Sequence, residues 1–134
     1  MPAVSDLSIV LFGSEGGYSA PLLRCLLARG LGVSAVVRLD HRPAEQAFPV
    51  RVEQRAAEDS LEMIARRAGI SLISAPNLND QRFIQQLTQV QADIFLVACF
   101  GTKLPARIWR DMPQRCWNLH PSLLPAYRGP SPLY

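Results

Sequence analysis

Apolar and polar positions along this chain fall into short blocks whose period switches between strand-like and helix-like. Residues 8–12 (SIVLF) form an apolar run closed by Gly13, the pattern of a strand buried on both faces. Leu22, Leu23, Leu26 and Leu27 follow at the spacing of one helical face. Ser19 is placed to cap that helix, Pro21 falls in its first turn and Gly30 stands at its stop. Residues 33–39 are a second β-rich run. Strand, helix and strand within about thirty residues make a βαβ unit, which requires a parallel sheet and a right-handed crossover.

The same alternation continues. Residues 40–52 are polar and broken by Pro43 and Pro49, and read as a loop. Leu61, Ile64, Ala65 and Ala68 mark an amphipathic helix closed by Gly69, and residues 70–74 a short strand. Residues 76–79 (PNLN) make a turn and cap, after which Phe83, Ile84, Leu87 and Val90 mark a third helix. Residues 93–99 are the clearest central strand and are broken by Gly101. Pro105 starts a short helix running to about Met112, and residues 116–119 form a last short strand. The order predicts an α/β fold, an open, doubly wound, mostly parallel sheet, in one domain over residues 1–134. Pro121, Pro125, Pro130 and Pro132 crowd the last fourteen residues, and the chain ends on apolar Leu133 and Tyr134. That ending reads as a rigid loop cut off in mid-course, so the domain is expected to be incomplete at its C-terminus.

Composition narrows the class. A length of 134 residues with 49% hydrophobic residues is enough for one ordinary core, and 19% charged residues is globular composition. The formal net charge is +3, and apart from Lys103 the cations are arginines scattered along the chain, a pattern of solvated surface rather than of a nucleic-acid stripe. Cys25, Cys99 and Cys116 are odd in number and far apart, which supports neither a zinc site nor a disulfide framework. All three sit among apolar residues and read as buried, reduced thiols of a cytoplasmic protein. Residues 1–7 lack the basic and long apolar stretches expected of a signal peptide, and the longest apolar run, residues 94–100, is far too short to span a bilayer.

In an open α/β sheet, ligands bind beyond the carboxyl ends of the strands, and three segments fall there. The first, residues 13–17 (GSEGG), has the glycines of an anion-cradling turn, and Asp40 ends the next strand where a dinucleotide fold places its ribose acid. The glycine spacing is not GxGxxG, however, and Glu15 brings negative charge where pyrophosphate would lie. A tight strand-to-helix turn explains the segment as well. The second is residues 100–103 (FGTK). In the third, residues 118–121 (NLHP), Asn118 and His120 are two apart at a strand end and so share one face. An amide donor beside an imidazole can polarise a carbonyl and manage a proton in one small volume, although an Asn-x-His pair alone also reads as a capping amide and a solvated histidine. Ser122 lacks a GxSxG elbow and is a poor nucleophile, and His41 lies in a polar loop.

Residues 118–129 (NLHPSLLPAYRG) closely resemble the signature of the folate-dependent formyltransferase family. Residues 40–43 (DHRP) are similar to a turn in its tRNA-directed branch, and residues 96–105 (LVACFGTKLP) to its folate-facing strand and loop. The resemblance covers almost the whole chain and implies a Rossmann-like N-terminal catalytic domain. It implies transfer of a formyl group from 10-formyltetrahydrofolate to an amine acceptor of unknown identity, a tRNA, a nucleotide sugar or another amine. By position, Asn118 and His120 become the catalytic pair. The backbone of Cys99, Phe100, Gly101, Leu104 and Pro105 becomes the wall of the folate pocket, and Gly13, Ser14 and Arg128 lie toward the acceptor.

The family's third catalytic residue, an Asp, follows the Arg-Gly turn at a distance that falls beyond Tyr134. The chain by itself is therefore expected to have little or no transferase activity, and its incomplete sheet edge to favour self-association. Two alternatives use the same features. One is hydrolysis of 10-formyltetrahydrofolate, with water replacing the amine. The other is a non-catalytic module that binds a folate or a nucleotide.

Overall fold

Five strands and four helices are defined in the computed structural model, which describes residues 6–15, 18–39, 60–110 and 115–128. In chain order they are β1 (Ser8–Gly13), α1 (Ser19–Ala28), β2 (Gly32–Leu39), α2 (Leu61–Arg67), β3 (Ser71–Ala75), α3 (Gln81–Gln89), β4 (Ile94–Ala98), α4 (Ala106–Trp109) and β5 (Cys116–Leu119). The strands form one sheet in the order β3-β2-β1-β4-β5, and every pairing is parallel. The chain winds outward from β1 in one direction to β3 and then returns to build β4 and β5 on the other side. That reversal is the doubly wound arrangement predicted from the alternation of blocks.

The period-two pattern of the strands sorts the core into two layers. Val10, Phe12, Ala35, Val37 and Phe95 pack with Phe83 and Leu87 of α3 and Ile108 of α4. Leu11, Val36 and Ala98 face the other way, against Ala20 and Leu23 of α1 and Leu61 and Ala65 of α2. β1 is buried from Ile9 onward because helices cover both of its faces. Phe12 anchors the α3/α4 layer through edge-on contacts with Phe95 and Phe100, at ring-centre distances of 5.6 and 5.4 Å.

Helix ends follow the capping chemistry of the sequence in most cases. Ser60 caps α2 by accepting from the Met63 amide, and α3 is capped by Asp80, one residue beyond the 76–79 segment read as turn and cap, which accepts from Arg82 and Phe83. Gly30 and Gly69 take positive φ just past α1 and α2, where the following residues Leu31 and Ile70 bond back to Leu26 and Ala65. Ser19 does not cap α1. Tyr18 holds the cap position without a side-chain bond, and Ser19 is the first helical residue, wholly buried. Its hydroxyl has been recruited by the sheet instead. The described part of α4 ends at Trp109, while Met112, to which the sequence extends that helix, lies outside the described residues.

Candidate functional site

The direction of winding reverses between β1 and β4, and the crevice at such a reversal is where open α/β sheets hold ligands. Across β1, β4 and β5 the register aligns Gly13 with Ala98 and Ala98 with Leu119. Ser14, Cys99 and His120 each stand one residue beyond that row. Neighbouring strands are about 4.8 Å apart, so these three strand ends lie within about 10 Å of one another. The structure thus gathers Gly13, Ser14, Cys99, Phe100, Gly101, Asn118 and His120 at one end of the sheet.

The β1–α1 turn is fastened to β4 by two serines. The Ser19 hydroxyl donates to the Ala98 carbonyl at 2.8 Å and accepts from the Ser14 amide at 3.0 Å. The Ser14 hydroxyl donates to the Cys99 carbonyl at 2.6 Å. A Cβ at Gly13 would come within 2.9 Å of both Leu61 Cδ2 and Ser19 Cβ, so glycine is required here for close packing. Glu15 accepts from the Leu61 amide at 3.1 Å and adds a carboxylate to the start of α2. The described part of the turn therefore stitches sheet to helices and leaves negative charge at its rim, which is unlike a pyrophosphate cradle. Gly16, Gly17 and the Asp40-to-Pro43 turn, with His41, lie outside the described residues.

Beyond β4 the backbone takes positive φ at Cys99 and Gly101, at 50° and 73°. The side chains of Phe100 and Leu104 are buried in the α3/α4 layer, so these two residues can offer a ligand only backbone. Gly101 is exposed and Pro105 half-buried. Cys99 and Cys116 are also half-buried, and desolvation pushes both thiols above the usual range. Cys25 departs from the sequence reading, because it is exposed. Helix α1 buries Ser19, Ala20, Leu23 and Leu26, and Cys25 falls off that stripe.

Asn118 pairs with Val97, and Val97 with Phe12, which assigns the Asn118 side chain to the α3/α4 face of the sheet. His120 follows β5 directly and is half-buried, while Asn118 is exposed. Residues 120–128 then form a tight turn. The Tyr127 amide bonds the Leu123 carbonyl at 3.3 Å, and Arg128 Nε donates to the Pro125 carbonyl at 2.9 Å. The Ser122 hydroxyl sits 2.7 Å from His120 Nδ1 and 2.7 Å from the Tyr127 carbonyl. His120, Pro121, Ser122, Leu123 and Tyr127 line an open depression of about 460 Å³. Cys99, Gly101, Leu104 and Pro105 are not among its lining residues, although the register brings the β4 end next to it.

Sequence reasoning located the strand ends but gave Ser19 and Ser122 other roles, a helix cap and a poor nucleophile, rather than the hydrogen bonds that organise those ends. Ser19 could have been flagged by its place opposite an apolar strand end, and Ser122 by its spacing two residues after His120. Among the described residues, no group of three or more His, Cys, Asp or Glu side chains is arranged to hold a metal ion, and no helix is long and apolar enough to cross a membrane.

Several known proteins are similar to this chain. Methionyl-tRNA formyltransferase of Porphyromonas gingivalis is 30% identical over 128 residues, which is 96% of this chain and 37% of that protein. The enzyme of the same name from Syntrophus aciditrophicus is 30% identical over 97% of this chain and 39% of its own length. The chain thus spans well under half the length of these relatives. Among solved structures, phosphoribosylglycinamide formyltransferase from Anaplasma phagocytophilum superposes with a TM-score of 0.66 at 21% identity, covering 94% of this chain and 55% of that one. A formyltetrahydrofolate deformylase from Pseudomonas putida does so with a TM-score of 0.62 at 20% identity, covering 98% and 44%. These two likenesses show a common fold. The sequence model of the formyl transferase family matches residues 9–134, from within β1 through the whole His120 turn, and the chain belongs to that family.

Proposed function

We propose that this chain provides the catalytic face of a formyl-transfer site, taking a formyl group from 10-formyltetrahydrofolate to a primary amine. The observation that carries the proposal is the pairing of a solvent-open Asn118 with a half-buried His120 at the end of β5, next to the sheet's winding reversal. All described elements belong to one sheet and its two helix layers, which supports reading the chain as one catalytic domain. The relatives named methionyl-tRNA formyltransferase favour the amine of an aminoacyl-tRNA as acceptor.

The residues present suit the folate donor. The depression beside His120 combines apolar Pro121, Leu123 and Tyr127 with polar His120 and Ser122, a lining for a flat ring with polar edges, and its volume falls in the range of small-molecule sites. The donor, when bound, supplies a formyl carbon on a nitrogen that can leave. The Asn118 amide donates a hydrogen bond to the formyl oxygen as negative charge gathers there, an interaction worth about 100- to 1,000-fold in rate. His120 takes the proton lost by the attacking amine and returns one to the departing nitrogen. Backbone at half-buried Cys99 and exposed Gly101 walls the donor, joined by Leu104 and Pro105. Ser14 and Arg128 lie toward the acceptor, and Gly13 acts by letting α2 approach the turn.

The test is ligand-dependent stabilisation followed by transfer. A reduced folate at about a hundred times its Kd should stabilise the chain by about 2.7 kcal/mol, and NAD should not. Transfer of labelled formyl to methionyl-tRNA or a small amine by the chain alone should be slight, and Asn118→Ala, which removes a donor worth about 100-fold or more, should abolish it. Stabilisation by NAD alone would point to a nucleotide-binding module and overturn the reading. Release of formate regardless of amine would make the site a hydrolase.

A further inference from the structure

The Ser122 hydroxyl carries a single proton and makes two short contacts. One partner, the Tyr127 carbonyl at 2.7 Å, can only accept, so the proton goes there. The other partner, His120 Nδ1 at 2.7 Å, must then be the donor. A neutral imidazole has one N–H, and placing it on Nδ1 leaves the lone pair on Nε2. We infer that Ser122 is a positioning residue that locks His120 in the Nδ1–H tautomer and makes Nε2 the nitrogen that exchanges protons. The tautomer follows from the local geometry alone, while its use in formyl transfer rests on the function proposed above.

The lock runs against the intrinsic preference of a free imidazole in water, which favours the proton on Nε2. It holds because the Tyr127 carbonyl is itself fixed. Tyr127 closes the turn onto Leu123, and Arg128 clamps the Pro125 carbonyl in the same loop. Rotating the hydroxyl to donate to His120 would abandon the Tyr127 carbonyl, and a neutral hydrogen bond of this kind is worth about 1 kcal/mol. The arrangement also survives a change of charge. An imidazolium has N–H on both nitrogens, and Ser122 accepts from Nδ1–H in either state. His120 can therefore load and unload a proton at Nε2 without any hydrogen bond of the turn being remade.

The two histidines of the chain are His41 and His120, which makes a direct reading practical. The full chain labelled with 15N-histidine, alone and with His41→Gln to identify the His120 signals, is placed at a pH where the rings are neutral. Long-range 1H–15N correlations then report which ring nitrogen carries the proton. The expected result is a protonated Nδ1 and an unprotonated Nε2 in the parent. Ser122→Ala should shift His120 toward Nε2–H, and Ser122→Thr, which keeps the hydroxyl, should restore Nδ1–H. A parent ring protonated on Nε2, or an unchanged tautomer in Ser122→Ala, overturns the inference.

Transfer assays on the same proteins separate this question from the one before it. Ser122→Ala is expected to lower whatever transfer the parent shows about tenfold, the equivalent of one oriented hydrogen bond, with activity recovered in Ser122→Thr. An Nδ1–H ring in a chain that is not stabilised by a reduced folate and forms no formyl product would keep the tautomer lock and remove the formyl-transfer reading. An Nε2–H ring in an active chain would do the reverse.

Discussion

At the scale of single residues, Ser19 shows how one side chain can join two elements. Its side chain is wholly buried and joins the Ser14 amide to the Ala98 carbonyl, so one hydroxyl connects the β1–α1 turn to the end of β4. Replacing it with alanine leaves a part-buried amide and a buried carbonyl without that partner, and an unsatisfied buried group costs about 1–3 kcal/mol. Ser19→Ala is expected to lower unfolding stability by about 2 kcal/mol in urea titration, with an unchanged m-value. A loss within the range of an ordinary surface substitution would show that water replaces the hydroxyl. Because Ser14 also bonds the Cys99 carbonyl, the same variant should loosen the strand end that faces the proposed folate site.

At the scale of elements, α2 shows how local charge supports tertiary packing. Glu62 sits in its first turn, bonds Arg66 one turn on at 2.8 Å, and reaches across to Arg38 of β2 at 3.2 Å. The hydrogen bond from Arg66, and then the charge of Arg38, hold the Glu62 carboxyl below the ordinary carboxylate value of 4.5. A carboxyl lowered in the folded state stabilises at neutral pH, and its contribution disappears as pH falls through the folded value. The stability gap between the parent and Glu62→Gln should therefore be present at pH 7, close below pH 4.5, and shrink in high salt because the pair is exposed. A gap independent of both pH and salt would assign the effect to helix propensity. Elements were the most legible level of this sequence. Strand runs, the Gly30 and Gly69 stops and the α3 face are all local signals, and the strands began or ended within a residue or two of where the pattern placed them. Ser19 and Cys25 were misread because cap and burial depend on what the neighbouring strand supplies, which no local period records. Asn118 and His120 were legible as a strand-end pair, whereas the role of Ser122 needed the fold of the turn to bring Tyr127 back to it.

At the scale of the whole molecule, the sheet is unevenly covered. Helices pack over both faces of β1, but the face of β5 that carries Trp117 and Leu119 leaves them 63% and 49% exposed. Leu123, Leu124 and Tyr127 in the following turn are exposed as well. Among the described residues β5 pairs only with β4, so its outer edge presents backbone donors and acceptors beside an apolar surface. Such an edge is a template for pairing with another chain, and apolar side chains next to it add a hydrophobic driving force. The occupant proposed here is a second copy of this chain, laid edge to edge along β5. Light scattering should then show mass rising with concentration, and Leu119→Lys should hold the protein monomeric, since a lysine at an edge strand penalises pairing. The substitution changes a half-exposed side chain, so the melting temperature of the dilute protein should barely move. A parent chain that stays monomeric at the highest soluble concentration would remove the dimer. A variant that still associates would move the contact to the opposite edge at β3, where residues 71–74 border an open groove with Gln86 and Gln89 of α3.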